Sequence, residues 1–270
     1  GINFGNRKIE ELKRYTAPFE IAEKNVKPER KKGKDSKLAE FWWKYKRQTP
    51  SLYKKASALE RVLVHGFTSK YIGFRFVPSD SIFVAPLVVF FFDSYGYFGV
   101  LQSSIHKSWV ENVSSMRNDI RYAPSDCFET FPFPPDVDAL RNVGEKYYAI
   151  RDNLMLKSKK GMTETYNVFH DKNTNSKDIE NLRQAEVELD MATLKSYGWD
   201  DILLNHDFYD GEKGVRFTIC NEARNEILAR LLHLNNEASE AEQNSVLQKK
   251  DKSLVPKVNA EKNQPDMFGN

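Results

Sequence analysis

RVLVHGFTSKYIGFRFVPSDSIFVAPLVVFFF, residues 61–92, is the stretch that decides the fold. Short runs rich in Val, Ile, Phe and Tyr are separated by turn-forming residues, a pattern that predicts antiparallel strands over Arg61–His65, Tyr71–Pro78, Ile82–Val84 and Leu87–Phe92. Tyr71, Gly73, Arg75 and Val77 alternate with Ile72, Phe74 and Phe76, so this strand is expected to keep one wet face. Leu87–Phe92 is continuously apolar and is expected to be covered on both faces.

Outward from this sheet the pattern becomes helical. Toward the N-terminus, Ser36 is expected to cap a short helix carrying Leu38, Phe41, Trp42 and Tyr45, and Pro50 to open another through Leu52, Tyr53, Ala56 and Leu59. Trp42 and Trp43 read as core residues rather than stacking platforms. Gly5–Lys37 is basic and broken by Pro18, Pro28 and Gly33, which predicts short strands and an exposed loop over Lys24–Lys37. Toward the C-terminus, Phe98, Leu101, Ile105, Trp109 and Val113 recur at three- and four-residue intervals and predict one amphipathic helix. Its polar face carries Gln102, Ser103, His106 and Lys107. A polar loop, Ser114–Asp126, leads to Phe128-Glu-Thr-Phe-Pro-Phe-Pro-Pro135, whose prolines exclude a helix and whose aromatic rings are expected to be buried.

Beyond Val137, helices are predicted over Asp138–Lys157, Thr163–Phe169, Asp178–Tyr197 and Asn221–Leu234. The last is expected to turn Ile227, Leu228, Leu231 and Leu232 inward. The expected architecture is α+β: a mixed helix and antiparallel-sheet domain over residues 1–135, a small helical domain over 136–236, and a disordered Lys-, Glu-, Asn- and Gln-rich tail over 237–270.

Composition narrows the function classes. Apolar residues make up 40% and aromatic residues 13% of the 270, enough for a core. Residues 1–60 hold 16 Lys and Arg against 8 Asp and Glu, while the rest hold 25 against 30. This asymmetry suits either a segment facing a polyanion or a solvated surface. Cys127 and Cys220 form no CxxC or Cys/His cluster, so neither a disulfide scaffold nor a zinc site is expected, and a reducing cytoplasm fits best. No stretch is long enough for a membrane helix. Gly1–Arg14 lack a signal-peptide core and read as a start within a longer protein.

No catalytic or metal-ligating set emerges. A Gly-rich methyl-donor loop, an Asn/Asp-Pro-Pro-aromatic motif and a GxxxxGK[ST] loop are all missing from the sequence. Asp210-Gly-Glu-Lys213 reads as a solvated turn, and the five histidines show no metal spacing. The side chains that do stand out are Gln102, Ser103, Ser104, His106 and Lys107, followed by Arg117, Asn118, Asp119 and Arg121. Arginine pairs with guanine, Gln and Asn with adenine, and Asp accepts from cytosine. The same residues also suit a surface ion-pair ladder or, on the helix, a capping and buried polar network.

Four blocks then carry a resemblance: Phe41-Trp-Trp-Lys-Tyr45 with Pro50-Ser-Leu-Tyr53; Val100-Leu-Gln-Ser-Ser-Ile-His106 with Trp109; Arg121-Tyr-Ala-Pro through Pro134; and Tyr166-Asn-Val-Phe-His170 through Leu182-Arg183, Glu188-Leu-Asp190, Tyr197-Gly-Trp199 and Gly214-Val-Arg-Phe217. In this order they resemble the C-terminal part of MmeI-type (type IIL/IIG) single-chain restriction-modification enzymes, over roughly residues 5–235.

The resemblance implies a prokaryotic, cytoplasmic, non-catalytic module that reads double-stranded DNA and holds the adenine-N6 methyltransferase domain of the same parent chain on its target. S-adenosylmethionine and Mg2+ would be bound by the missing N-terminal part and no cofactor or metal by these residues. It places base reading at Arg117, Asp119 and Arg121, with Gln102, Ser103 and His106 in the matching helix motif. Lys27, Arg30, Lys31 and Lys107 are expected at phosphates. Two rival readings stand beside it. One is a helical adapter that docks on the methyltransferase with little DNA affinity; the other is a hydrolase whose site would gather Asp190, His206 and Asp207.

Overall fold

The structure, a computed structural model, describes residues 2–5, 7–45, 49–114, 119–211 and 214–253, with side chains as far as 244. Five short helices open the chain: α1 (Ile9–Leu12), α2 (Thr16–Asn25), α3 (Lys27–Lys32), α4 (Ser36–Glu40) and α5 (Pro50–Ala56). The basic segment expected as strands and a loop is therefore helical. Pro18 and Pro28 sit in the first turns of α2 and α3, where a backbone N–H has no intrahelical partner to lose. The cap of α4 is Asp35, whose carboxylate accepts from Leu38 N at 3.1 Å, rather than Ser36. Trp42, Phe19, Leu12 and Phe4 form a small core of their own.

The sheet comprises β1 (Arg61–Gly66), β3 (Arg75–Pro78) and β4 (Leu87–Phe90), in the order β3-β1-β4 and antiparallel throughout. Strand β1 is central, pairing Leu63 with Phe76 on one side and with Phe90 on the other. It is β1, not the more apolar β4, that is covered on both faces. Leu87 of β4 is exposed, because an edge strand lacks neighbours to cover it. Phe74 and Phe76 point inward and Arg75 outward, as the alternation predicts. Ile82–Val84 forms no strand.

The expected helix over Phe98–Val113 is two: α6 (Tyr95–Gln102) and α7 (Ser104–Val113). At the junction Ser103 is extended (ψ 160°), donating from Oγ to Val100 O at 2.7 Å and accepting from His106 N at 3.4 Å. One hydroxyl thus closes α6 and caps α7. The polar loop that follows is also partly ordered into β5 (Ile120–Arg121), which pairs with β2 (Thr68–Ser69), and α8 (Pro124–Cys127). In the Phe128–Pro135 segment residues 128–130 form a turn rather than an extended run, Phe131 is buried and meets Phe133 edge-on, and Phe128 and Phe133 are half-buried.

The second half holds α9 (Arg141–Ser158), α10 (Met162–Phe169) and α11 (Lys177–Tyr197), then the hairpin β6 (Asp207–Tyr209) and β7 (Arg216–Thr218), and finally α12 (Asn221–Ser253). Gly198, at φ +73°, ends α11 in the left-handed region, and Tyr197 stacks on Trp199 at 4.4 Å. Gly144 of α9 lies against the Tyr95 carbonyl and lets α9 close on α6. One apolar cluster draws on both sides of Pro135: Leu63, Phe74, Phe98 and Ile105 pack with Tyr147, Leu182, Leu189 and Ile227.

Two expectations for the C-terminal helix change. Ile227 and Leu231 are buried, but Leu232 is 42% exposed. The helix also continues to Ser253, through residues whose composition predicted a flexible tail; residues 254–270 lie outside those described. Glu237, Ala238, Glu240, Ala241 and Gln243 all favour helix, so a helix begun on a packed face propagates through them.

Candidate functional site

The two-residue strands β2 and β5 bring together segments about fifty residues apart. Thr68 faces Arg121 and Ser69 faces Ile120, and the pairing continues with Tyr122 N donating to Phe67 O at 2.8 Å. Directly opposed residues share a face. Ile120 is buried, and Thr68 and Arg121 are exposed. Lys70 and Asp119, which flank the paired residues, are also exposed, and Lys70 Nζ donates to Asn167 Oδ1 at 2.7 Å. The ribbon therefore turns Thr68, Lys70, Asp119 and Arg121 toward solvent.

Arg121 carries its guanidinium 5.4 Å from the centre of the Phe67 ring, which steadies the side chain while leaving its donors free to face outward. Arg117 lies outside the described residues. Lys70 and Thr68 escaped sequence reading because a two-residue strand carries no periodicity. The only local hint was the turn-like Gly66-Phe-Thr-Ser-Lys70 stretch.

Beneath the ribbon lies a stack of histidines and aromatic rings. His65 donates from Nδ1 to Gly73 O at 3.0 Å and accepts at Nε2 from Ser69 Oγ at 3.3 Å. Its ring meets Tyr122 edge-on at 5.0 Å and Phe74 at 4.8 Å. His106 faces a carbonyl at each ring nitrogen, Leu101 O at 2.8 Å from Nδ1 and Cys127 O at 3.3 Å from Nε2, and Nε2 also lies 3.2 Å from Tyr122 OH. Burial lowers both rings to about 4, against which the carbonyl contacts act only partly. Both are neutral near pH 7 and act as fixed hydrogen-bonding struts.

The helix residues expected at bases are placed here as internal supports. Gln102 is fully buried; it accepts from Phe74 N at 3.1 Å and from Arg151 Nη1 at 2.8 Å, and donates to Tyr166 OH at 3.0 Å. Ser103 is the junction cap described above, and His106 braces Tyr122, the residue after Arg121. Of the three, His106 meets the ribbon directly, whereas Gln102 ties Phe74 to α9 and α10 and Ser103 fixes the α6–α7 junction. Their polarity, which in sequence matched a reading face, is satisfied inside the protein.

The expected phosphate contacts divide similarly. Lys107 is paired with the buried Glu186. Lys27 reaches Glu23 at 2.5 Å and lies 5.2 Å from the Trp42 ring. Arg30 donates to the carbonyls of Trp42 and Lys44 and so holds α3 on the small aromatic core. Lys31 is exposed on α3 with Lys32.

The Asp190, His206 and Asp207 grouping is realised only in part. His206 Nε2 meets Asp190 Oδ2 at 2.8 Å, and Asp190 Oδ1 accepts from Ser104 N at 2.6 Å. Asp190 thus satisfies a first-turn N–H of α7 and ties α11 to the loop after Gly198. Asp207 is exposed, and its carboxylate accepts from Phe208 N at 2.7 Å. Among the described residues no group of three or more His, Cys, Asp or Glu is placed to hold a metal ion, and no helix is long and apolar enough to cross a membrane.

With this geometry established, comparison with known proteins is informative. The family described as MmeI, target recognition domain, matches residues 6–135, the segment that contains the ribbon. A solved structure of the Type IIL restriction-modification enzyme MmeI in complex with DNA shares the fold, with a TM-score of 0.59 and 19% identity over 88% of this chain. The chain spans 28% of the length of that protein. No curated protein matches.

Proposed function

We propose that this chain reads the base sequence of duplex DNA within a restriction-modification system and holds catalytic domains of a longer protein in register on the target. The observation that carries this reading is the β2–β5 ribbon, which presents Asp119 and Arg121 on one exposed edge within the segment matching a target recognition domain.

The chemistry follows from the side chains. Residues two apart on a strand share a face and lie about 7 Å apart, roughly two base-pair rises of 3.4 Å. Arg121 suits bidentate donation to guanine O6 and N7, and Asp119 suits acceptance from cytosine N4, each contact discriminating by about 1–3 kcal/mol. Thr68 and Lys70 flank them with a hydroxyl and a cation suited to backbone oxygens. Arg117 is proposed as a third reader on the grounds of its place two residues before Asp119. His106 acts indirectly, by bracing Tyr122 beside Arg121, while Gln102 and Ser103 hold Phe74 and the α6–α7 junction on which His106 sits. Lys31 is retained as a phosphate contact. In this reading the methyl donor and the divalent metal belong to the catalytic portion, which uses the position set here to act on an adenine.

The experiment is selection from randomised duplex DNA by the 270-residue chain at low and moderate salt, in parallel with Asp119→Ala and Arg121→Ala. The expected outcome is enrichment of a short motif in which each variant relaxes a different position. Salt-sensitive binding without enrichment would reduce the chain to a phosphate-gripping module. Absence of binding would favour the adapter reading, in which the helical half docks on the methyltransferase.

A further inference from the structure

A cavity of about 440 Å³ lies where the ribbon, α7, α11 and the β6–β7 hairpin meet, and its walls include Lys70, Lys107, His170, Glu186 and Arg216. Its volume falls within the roughly 300–1,000 Å³ of small-molecule sites. None of the base-reading groups proposed above lines it.

Three polar atoms of residues on these walls are buried and lack a partner among the described residues: His170 Nδ1, Glu186 Oε2 and Arg224 Nε, whose guanidinium otherwise meets Glu111 at 3.6 Å. The other oxygen of Glu186 is engaged by Lys107, so Oε2 is a charged acceptor with no donor. Buried polar atoms are ordinarily paired, and an orphaned acceptor beside a cavity of this size is a place for a ligand's donor.

The remaining walls specify what kind of ligand fits. Tyr71 stacks on His170 with centroids 5.1 Å apart and planes at 28°, and Tyr166 lies nearly parallel to the same ring at 6.1 Å. These rings pack on one another, with Tyr71 and Tyr166 buried, and they give this side of the cavity a rigid wall. Lys70 Nζ and the Arg216 guanidinium both approach the Tyr71 ring, at 5.2 and 5.0 Å. His170 is held well below its ordinary pKa first by burial and then by Lys107, Arg216, Arg183 and Lys70, so its ring is neutral in a positive field. A ligand that carries an amino group and an anion matches the unpaired acceptors at one side and the cations at the other.

We propose that this cavity binds a single nucleotide, with an exocyclic amino group of the base at Glu186 and His170 and the phosphate at Lys70 and Arg216. Its source is either a free nucleotide or a base turned out of the duplex that lies on the adjoining ribbon. Only the second source rests on the DNA reading above. Thymine, which has no exocyclic amine and offers Glu186 and His170 only its single ring N3–H, is disfavoured.

Calorimetric titration of the 270-residue chain with dAMP, dCMP, dGMP, dTMP and inorganic phosphate tests the site directly. An amino-bearing nucleotide is expected to bind at least about tenfold more tightly than dTMP, and phosphate alone more weakly still; one lost charge-assisted contact corresponds to such a factor. Arg216→Met and the exposed Lys70→Met are each expected to weaken nucleotide binding by about tenfold with an unchanged melting temperature.

A second arm places 2-aminopurine at successive positions of a selected duplex. A fluorescence increase that Arg216→Met abolishes assigns the source to an extrahelical base. An unchanged signal, alongside binding in the calorimeter, assigns it to a free nucleotide. Phosphate binding as tightly as the nucleotides, dTMP binding equally well, indifference to both variants, or no nucleotide binding by the folded chain would each overturn the proposal. Motif selection through Asp119 and Arg121 would survive such a failure, so the two readings fall separately.

Discussion

Gln102→Leu separates a base-reading side chain from a buried strut. The substitution nearly conserves volume, so the cavity penalty is small and the loss is polar. It removes the acceptor for the Phe74 N–H at 3.1 Å and for Arg151 Nη1 at 2.8 Å, in a position fully shielded from water. Arg151 keeps Phe74 O and a long 3.4 Å contact to Tyr166 OH, whereas the Phe74 amide has no second acceptor among the described residues. A buried neutral donor left unpaired costs about 1–3 kcal/mol, and a charged one costs more, so the variant is expected to lose about 3–5 kcal/mol. At about 2–4 °C per kcal/mol for a chain of this size, that is a fall in melting temperature of roughly 6–20 °C. The assay is thermal and urea unfolding of parent and variant, with duplex selection at a temperature where both are folded. The expected pattern is lower stability with the same selected motif. A variant that melts within about 2 °C of the parent yet selects a different motif would refute the argument and return Gln102 to the reading face.

Three further outcomes follow from the packing and charge. Gly96→Ala and Gly144→Ala would drive a Cβ into the carbonyls of Val137 and Tyr95 and are expected to cost at least about 3 kcal/mol each in urea unfolding; full tolerance would mean that α6 and α9 do not close as described. His65 and His106 sit at about 4 in the folded chain against an ordinary 6.5, so the unfolded state takes up protons first as pH falls. Stability is therefore fully present above about pH 6.5 and is lost between there and pH 4, by about 3 kcal/mol for each ring; urea midpoints that stay level from pH 7 to 5 would contradict their buried, neutral state. Lys107→Met strands the buried Glu186 carboxylate and is expected to cost about 3 kcal/mol. Adding Glu186→Leu should restore most of it, and a double variant no more stable than the single would show that the pair is not the source of the loss.

The sequence by itself determined the elements whose signal is local and repeated. Alternation placed Phe74 and Phe76 inward, Gly198 ended α11, Pro50 opened α5, and the proline-rich stretch after Thr130 stayed free of helix with Phe131 buried and Phe133 half-buried. It also marked Asp119 and Arg121 as polar residues two apart in a segment matching a recognition family. Tertiary structure decided the features that depend on partners distant in the chain. β5 exists only because β2, some fifty residues earlier, supplies its hydrogen bonds. The apparently continuous helix from Phe98 breaks at Ser103 because one hydroxyl bonds in both directions, and the polar face that looked suited to bases turns inward to meet Phe74, Tyr122, Arg151 and Glu186. Polarity in a sequence records that a side chain needs a partner; whether that partner is water, a base or another part of the same chain is fixed only when distant segments are brought together.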